Sequence, residues 1–317
     1  MPTLSEYAKL DISPMEAGIF ENIITADFLS NMMQFESMEG NAHLYTRENA
    51  LATTTTHQVG DTWQDTEPTY TAKSVALTEV GLQSPLDRFA LQTRSSVQSQ
   101  EAALFAGMTK SVMRKLGQYF IQGEPEDVST QFEGIDSLTR AETRMMAMDD
   151  GDLDGPGTNE TELTLDRLDA MIDQVDDGQT KPHALVMNTT MRRKLTALSR
   201  VAGSGVVMST IDMFGHKVNT YDGIPIILTN WITNAETYSD SDTWTNSTAT
   251  SIFALKFGKE AAGYTIMHNG PVLSFDIQKL GIKENKNENL YRIVVYVAAV
   301  TWSAKQIAGL GGIDSAA

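Results

Sequence analysis

The one metal-type motif in the sequence with a mechanism behind it is Asp150-Gly151-Asp152-Leu153-Asp154-Gly155. Carboxylates at alternating positions converge on one cation when a glycine permits a sharp turn, which is the first half of a calcium-binding loop. The second half departs from that pattern. Position twelve should supply a bidentate glutamate, and here it is Thr161, with Glu160 and Glu162 on either side. Asp150, Asp152 and Asp154 are therefore weak candidates for a cation site, and a flexible acidic surface loop is the plainer reading.

Other chemistry finds less support. Cysteine is absent, which removes disulfides, zinc-thiolate sites and thiol catalysis together. The five histidines, His43, His57, His183, His216 and His268, are never within four positions of each other, the spacing a helix-borne metal pair needs. Each reads as an ordinary polar or half-buried residue. Paired acids such as Asp176-Asp177 mean little in a chain this acidic. Gly203-Ser204-Gly205 lacks the spacing of a nucleophile elbow, and Gly203 to Met208 lacks the third glycine of a dinucleotide fingerprint. No Walker loop is present. No catalytic, cofactor-binding or firm metal residue is assigned, and no cofactor is expected.

The elements that would carry any site begin with residues 1–45, an extended arm whose Leu10, Ile19, Phe20, Ile23, Ile24, Phe28 and Leu29 suggest a short amphipathic stretch. Its apolar face is too small to form a domain, so it must pack on something else. Residues 46–93 read as two long strands joined by a loop, largely polar on both faces. Thr53 to Thr56 are β-prone, Gly60-Asp61 and Glu67-Pro68 signal turns, and Val75, Leu77, Val80 and Leu82 alternate with a slip near Thr78-Glu79 that suggests a bulge. An isolated hairpin is marginally stable in water, so this one calls for a neighbouring chain. Residues 95–122 predict a helix, with Val97, Leu104, Met108, Val112, Leu116, Tyr119 and Phe120 spaced mostly by three and four. Ser95 or Ser96 serves as its N-cap and Gly123 with Pro125 stops it; at 1.5 Å per residue it spans roughly 40 Å.

Further on, Thr161 or Thr164 leads into a helix through Leu165, Leu168, Ile172 and Val175, closed by Asp177-Gly178. A short buried strand, Ala184-Leu185-Val186-Met187, precedes a helix starting at Asn188 or Thr189. Residues 203–211 read as a Gly/Ser-rich loop. Lys217–Tyr221 and Ile224–Leu228 flank a tight turn at Asp222-Gly223. Residues 234–250 read as a solvent-facing loop, followed by β-rich blocks at Ser251–Phe257 and at Val272–Leu280 paired with Tyr291–Val300. The Gly-rich apolar ending, Ile307 to Ile313, is unusual for a free terminus and is expected in a sheet or a contact between chains.

Composition bounds the function. The 317 residues are long enough to bury a sizeable core, 41% are apolar, and no run approaches the roughly 18 apolar residues of a membrane span. The start of the sequence has no signal-peptide character, so folding and assembly in a cytoplasm is expected. The formal net charge is -17. A chain this acidic repels DNA in bulk. Arg192-Arg193-Lys194 is the densest basic cluster, a solvated helix face in the plain reading and a polyanion contact in the sharper one.

The fold class expected is α+β (mixed α/β), and the order of elements resembles the Hong Kong 97-type capsid fold of tailed-bacteriophage major capsid proteins, which encapsulins share. The resemblance covers nearly the whole chain. It rests on Thr78-Glu79-Val80-Gly81-Leu82 and Pro85-Leu86-Asp87-Arg88-Phe89 before the long helix, Tyr119-Phe120 closing it, and Phe132-Glu133-Gly134-Ile135 after it. Ala184-Leu185-Val186-Met187-Asn188, Tyr221-Asp222-Gly223-Ile224-Pro225-Ile226 and Ile252-Phe253-Ala254-Leu255-Lys256-Phe257-Gly258 complete the set.

The resemblance implies an N-terminal arm at 1–45 and an extended hairpin (E-loop) at 46–93. It implies a spine-helix P-domain at 94–160 and 271–317, and a central A-domain at 161–270. It implies self-assembly through pentamers and hexamers into an icosahedral or prolate head. That head would enclose double-stranded DNA without sequence-specific binding, in a virion assembled in the bacterial host cytoplasm, with no membrane. Scaffolding, portal and decoration proteins are the partners such a head uses; because the sequence starts at the arm, the scaffold is expected to be a separate protein, or none. Some relatives lock the shell by a Lys–Asn bond from the hairpin, for which Lys73 is the only candidate here. An encapsulin-like nanocompartment subunit is the alternative, and a soluble α/β enzyme or binding protein the second alternative.

Overall fold

A computed structural model describes residues 33–63, 65–93, 100–125, 128–149, 151–153, 160–201, 208–213, 216–236, 248–269 and 276–316. In chain order the strands are β1 (Phe35–Met38), β2 (Ala42–Ala50), β3 (Thr69–Ala76), β4 (Thr78–Asp87), β5 (Met145–Ala147), β6 (Ala184–Met187) and β7 (Met208–Met213). They continue as β8 (His216–Tyr221), β9 (Ile224–Leu228), β10 (Ala249–Leu255), β11 (Tyr264–Asn269), β12 (Asp276–Ile282), β13 (Glu288–Thr301) and β14 (Ile307–Asp314). The helices are α1 (Arg88–Thr93), α2 (Gln100–Gln122), α3 (Ile135–Ala141), α4 (Leu165–Gln174) and α5 (Thr189–Val201). Among the described residues, no helix is long and apolar enough to cross a membrane.

Two sheets carry the body. A five-stranded sheet runs β1-β11-β13-β12, with β4 paired along the other side of β13, and a seven-stranded sheet runs β5-β14-β10-β6-β9-β8-β7. The central strands of the second sheet, β6 (ALVM) and β10 (ATSIFAL), are buried throughout, which is why β6 and the Ile252–Leu255 part of β10 read as unbroken apolar runs. Helix α2 buries Met108, Val112, Leu116 and Phe120, one stripe at intervals of four, in the same core as Val80 and Leu86 of β4 and Ile293 and Val295 of β13. Helix α4 buries Leu168, Met171 and Ile172 beside Leu310 and Ile313 of β14.

Local signals match in several places. Thr164 is the N-cap of α4, its hydroxyl accepting from the Arg167 N–H. Asp222 and Gly223 both take positive φ, 48° and 82°, the left-handed pair that lets a two-residue turn join β8 to β9. Glycines also seal the end of α2: Gly134 N–H donates to Gly123 O at 2.8 Å, and a Cβ on Gly123 would lie 2.1 Å from Phe132 O. The amphipathic arm residues 10–29 and the helix start at residues 95–99 lie outside the described residues.

Other expectations need correction. The hairpin does not continue through residue 93: it ends at Ala76, and the slip near Thr78-Glu79 is the point where the chain leaves it and enters the five-stranded sheet. Residues 78–87 pair with β13 from Thr78↔Val297 to Asp87↔Glu288, and Pro85 is tolerated because β4 is an edge strand. Residues 208–211, the end of the stretch expected as loop, belong to β7, which pairs with β8. Residues 249 and 250 belong to β10, not to the preceding loop. The arm holds a strand, β1, that pairs parallel with β11.

The sheets also cut across the expected boundary at 270/271. Strand β11, placed with the central domain, pairs with β13 in the five-stranded sheet. Strand β14, placed with the spine, lies between β5 and β10 in the seven-stranded sheet. Small residues suit that slot: a Cβ on Gly309 would lie 3.2 Å or less from Thr139, Met145 and Phe253, so a side chain there would press on all three.

Candidate functional site

Strands β2 and β3 form a sheet of their own, in register from Ala42↔Ala76 to Ala50↔Thr69. Nine residues at about 3.3 Å each make this hairpin about 30 Å long before its tip. Alternation puts His43, Tyr45 and Arg47 of β2 on one face with their cross-strand partners Val75, Lys73 and Thr71 of β3. That face is half-buried; the opposite one is open to solvent.

The half-buried face is held by the end of β13 and by the residue after α3. Arg47 reaches both: its Nε donates to Trp302 O at 3.0 Å, its Nη2 to Thr301 O, and its Nη1 to Glu142 Oε1 at 2.6 Å. Lys73 donates to the same Glu142 oxygen. Tyr45 OH donates to Thr301 O at 3.3 Å. The Trp302 ring receives the edges of His43 and Tyr45 at 5.5 and 5.4 Å, with the Lys259 ammonium 4.9 Å from its centroid. Its indole N–H donates to Thr265 Oγ1 at 3.1 Å, which fixes the ring. Arg47 and Glu142 side chains are each only 11% exposed. Burial alone would raise the Glu142 carboxyl, but hydrogen bonds from Lys73 and Arg47 and their two charges outweigh it and hold it below the ordinary glutamate range.

Beyond this anchor the hairpin has little to lean on. Its tip is organised locally: Gln58 N–H donates to Asp61 Oδ2 at 2.8 Å, Thr66 Oγ1 donates to Thr53 O at 3.0 Å, and the His57 and Trp63 rings lie 4.2 Å apart. Yet Leu51 and Trp63 are each 75% exposed. A second exposed apolar run lies on β12, an edge strand carrying Ile277, Leu280 and Ile282. A protruding lever with a charged, buried hinge and an apolar tip can bear load or make a contact.

Of the cation-loop candidates only Asp152 falls among the described residues. Asp150 and Asp154 lie outside the described residues. Asp152 follows Gly151, whose φ of 87° makes the turn, and the Arg167 guanidinium packs directly against that glycine. Thr161, at position twelve, is zipped to β14, its N–H donating to Gly312 O at 3.1 Å and its carbonyl accepting from Asp314 N–H at 2.9 Å. Glu160 accepts from the Thr248 backbone and hydroxyl. Among the described residues no three His, Cys, Asp or Glu side chains are grouped as a metal site. His183 accepts from Phe257 N–H through Nδ1 at 3.2 Å, and burial, with Lys256 nearby, lowers its pKa. Lys73, the cross-link candidate, sits in the hairpin's hinge, engaged with Glu142 of its own chain.

Sequence reasoning missed the anchor. Arg47, Glu142 and Trp302 stand far apart in the chain, and none belongs to a motif. The one available signal was the alternation of His43, Tyr45 and Arg47, three large side chains on one face of a strand otherwise read as polar.

The sequence matches no protein-family model and no curated protein. Solved structures do match. The SrpI encapsulin complex of Synechococcus elongatus PCC 7942 aligns over 99% of this chain and 98% of its own, with a TM-score of 0.72 at 14% identity. The capsid of Cyanophage A-1(L) aligns over 96% and 98%, with a TM-score of 0.65 at 11% identity. A protein of Microbacterium phage Oxtober96 aligns over 98% and 99%, with a TM-score of 0.64 at 11% identity.

Proposed function

From the premise that this chain has the Hong Kong 97-type fold, we propose that it is the major capsid protein of a tailed bacteriophage. It assembles through pentamers and hexamers into an icosahedral or prolate head around the phage genome. The observation that carries this reading is the hairpin β2–β3. It is anchored at its base by a buried ion pair, and it extends a tip whose Leu51 and Trp63 are largely exposed. A monomer gains nothing from such an element, whereas a neighbour that covers the tip removes its apolar surface from water. Contacts of this kind between different surfaces of identical subunits close into rings, and rings of varied angle close a shell.

In this reading residues 1–41 form the arm, 42–76 the E-loop, α2 the spine with the five-stranded sheet as P-domain, and the seven-stranded sheet the A-domain. The subunit is structural and carries no catalysis. Scaffolding, portal and decoration proteins are its partners, the DNA is enclosed without sequence-specific contacts, and the protein belongs to a virion assembled in the bacterial host cytoplasm. A second reading, an encapsulin-like compartment subunit, is favoured by one observation, the near-complete overlay on the SrpI encapsulin.

The experiment is light scattering and negative-stain microscopy of the purified protein, alone and with a co-expressed scaffold. Closed shells are expected. Persistent monomers or dimers under both conditions would overturn the reading in favour of a soluble α/β protein, and shells filled with a protein cargo in place of nucleic acid would favour the encapsulin reading.

A further inference from the structure

Charge is not spread evenly along this chain. Between Asp87 and Glu124 the only carboxylate is Glu101, against five cations, in a protein whose net charge is -17. Glu101 is already engaged, accepting from Tyr291 OH at 2.6 Å and from Lys279 at 3.5 Å. Helix α2 thus buries its apolar stripe on one side and presents Lys110, Ser111, Arg114, Lys115 and Gln118 on the other. Every one of these can donate a hydrogen bond and none is an acid.

Helix geometry keeps them together. Positions 110, 114, 115 and 118 fall within about 140° of the circumference at 100° per residue, so the three cations share one strip about 7.5 Å long, extended to about 12 Å by Gln118. The cluster Arg192-Arg193-Lys194, denser in sequence, does the opposite. Consecutive positions fan around α5, Lys194 donates to the Asp314 carbonyl, Arg192 is half-buried, and only Arg193 is fully exposed. Beside the α2 strip, a cleft of about 320 Å³ runs between the helix and Leu82 of β4, floored by Trp231, with the Arg114 guanidinium 5.6 Å from the indole centroid. The indole orients Arg114, and Gln118 holds Lys115 through a hydrogen bond of 2.9 Å.

We propose that this strip is a phosphate-backbone contact for duplex DNA. Carboxylates of a second copy are the other polyanion available, but apart from the cleft walled by Leu82 and Trp231 at its edge the strip lacks the apolar centre of a contact between proteins. Met113 is its one large exposed apolar side chain, whereas the hairpin tip and β12 have several. Phosphate contacts need donors and positive charge without apolar area, and they carry no sequence preference. The identity of the polymer rests on the reading of a genome-enclosing shell; the segregation of charge does not. An acidic wall with one basic rail would order DNA locally while repelling it elsewhere.

The test uses the full-length chain, a fluorescein-labelled short DNA duplex read by anisotropy, and light scattering on the same samples. Three phosphate contacts predict that the wild type loses about 40-fold in affinity between about 50 and about 200 mM salt. K110Q/R114Q/K115Q should bind about tenfold or more weakly at the lower salt with a flattened salt dependence, while K181Q/K283Q/K286Q, removing equal charge elsewhere, stays within about threefold of wild type. Circular dichroism verifies that both variants fold. The proposal is overturned if the α2 variant binds like wild type, if wild type does not bind at low salt, or if the α2 variant loses assembly and keeps DNA binding, which would assign the strip to a second copy. Loss of shell formation by every version, read by scattering, would sink the shell reading separately.

Discussion

The anchor of the hairpin lends itself to one decisive perturbation, Glu142→Gln. The substitution keeps shape and most hydrogen-bonding capacity but removes the charge that Arg47 and Lys73 share. Arg47 and Glu142 side chains are each 11% exposed, so their charge-assisted bond of 2.6 Å is screened little and is worth about 1.5–3 kcal/mol. The Lys73 ammonium is 39% exposed, which limits its share to at most about 1 kcal/mol. Arg47 retains its bonds to Thr301 and Trp302, so its charge is not stranded. A net loss of about 2–3 kcal/mol in hairpin docking follows, and because an undocked two-stranded hairpin is barely stable, the loss should appear at its amides. Native-state hydrogen exchange should then show β2 and β3 amides exchanging about 30- to 150-fold faster, with β10 and β13 unchanged. Hairpin protection within about threefold of wild type, in a variant that folds normally, would refute the assignment of Glu142 as the hinge.

Acid should mimic that substitution. The Glu142 carboxyl is held below its unfolded value, so its contribution is complete above that value and is lost as pH falls through the lower folded one; hairpin exchange should accelerate there before the core does. Leu51→Ser with Trp63→Ser should leave thermal stability of the subunit within about 0.5 kcal/mol, because both side chains are exposed, yet reduce shell yield seen by microscopy. Thr164→Ala removes the cap of α4 and should cost about 1 kcal/mol in denaturant unfolding. Deleting residues 307–317 strips β14 from between β5 and β10, and the truncated chain should be recovered only as aggregate after expression.

Much of the local architecture was legible. The stripe Met108, Val112, Leu116, Phe120 announces α2, ALVM announces β6, Asp222-Gly223 announces a two-residue turn, and Thr164 announces the start of α4. Each depends on residues within a few positions of one another. Reading failed where a strand's partner lies elsewhere in the chain. Alternation across Val75 to Leu82 looked like one strand, though its halves pair with β2 and with β13. The final Gly-rich segment was seen as unusual, but its place beside Phe253 and Met145 depends on a slot built by other strands.

The candidate functional surfaces divide in the same way. Charge segregation between Asp87 and Glu124, the missing cysteines and the incomplete calcium-type loop are properties of the sequence alone, because composition and spacing survive any fold. The hinge that joins Arg47, Lys73, Glu142 and the Trp302 carbonyl belongs to the tertiary structure. So do the engagement of Lys73 and the choice of α2 over α5 as the basic strip. Burial and helical phase decide which charges share a surface, and both are set by what packs against the opposite face.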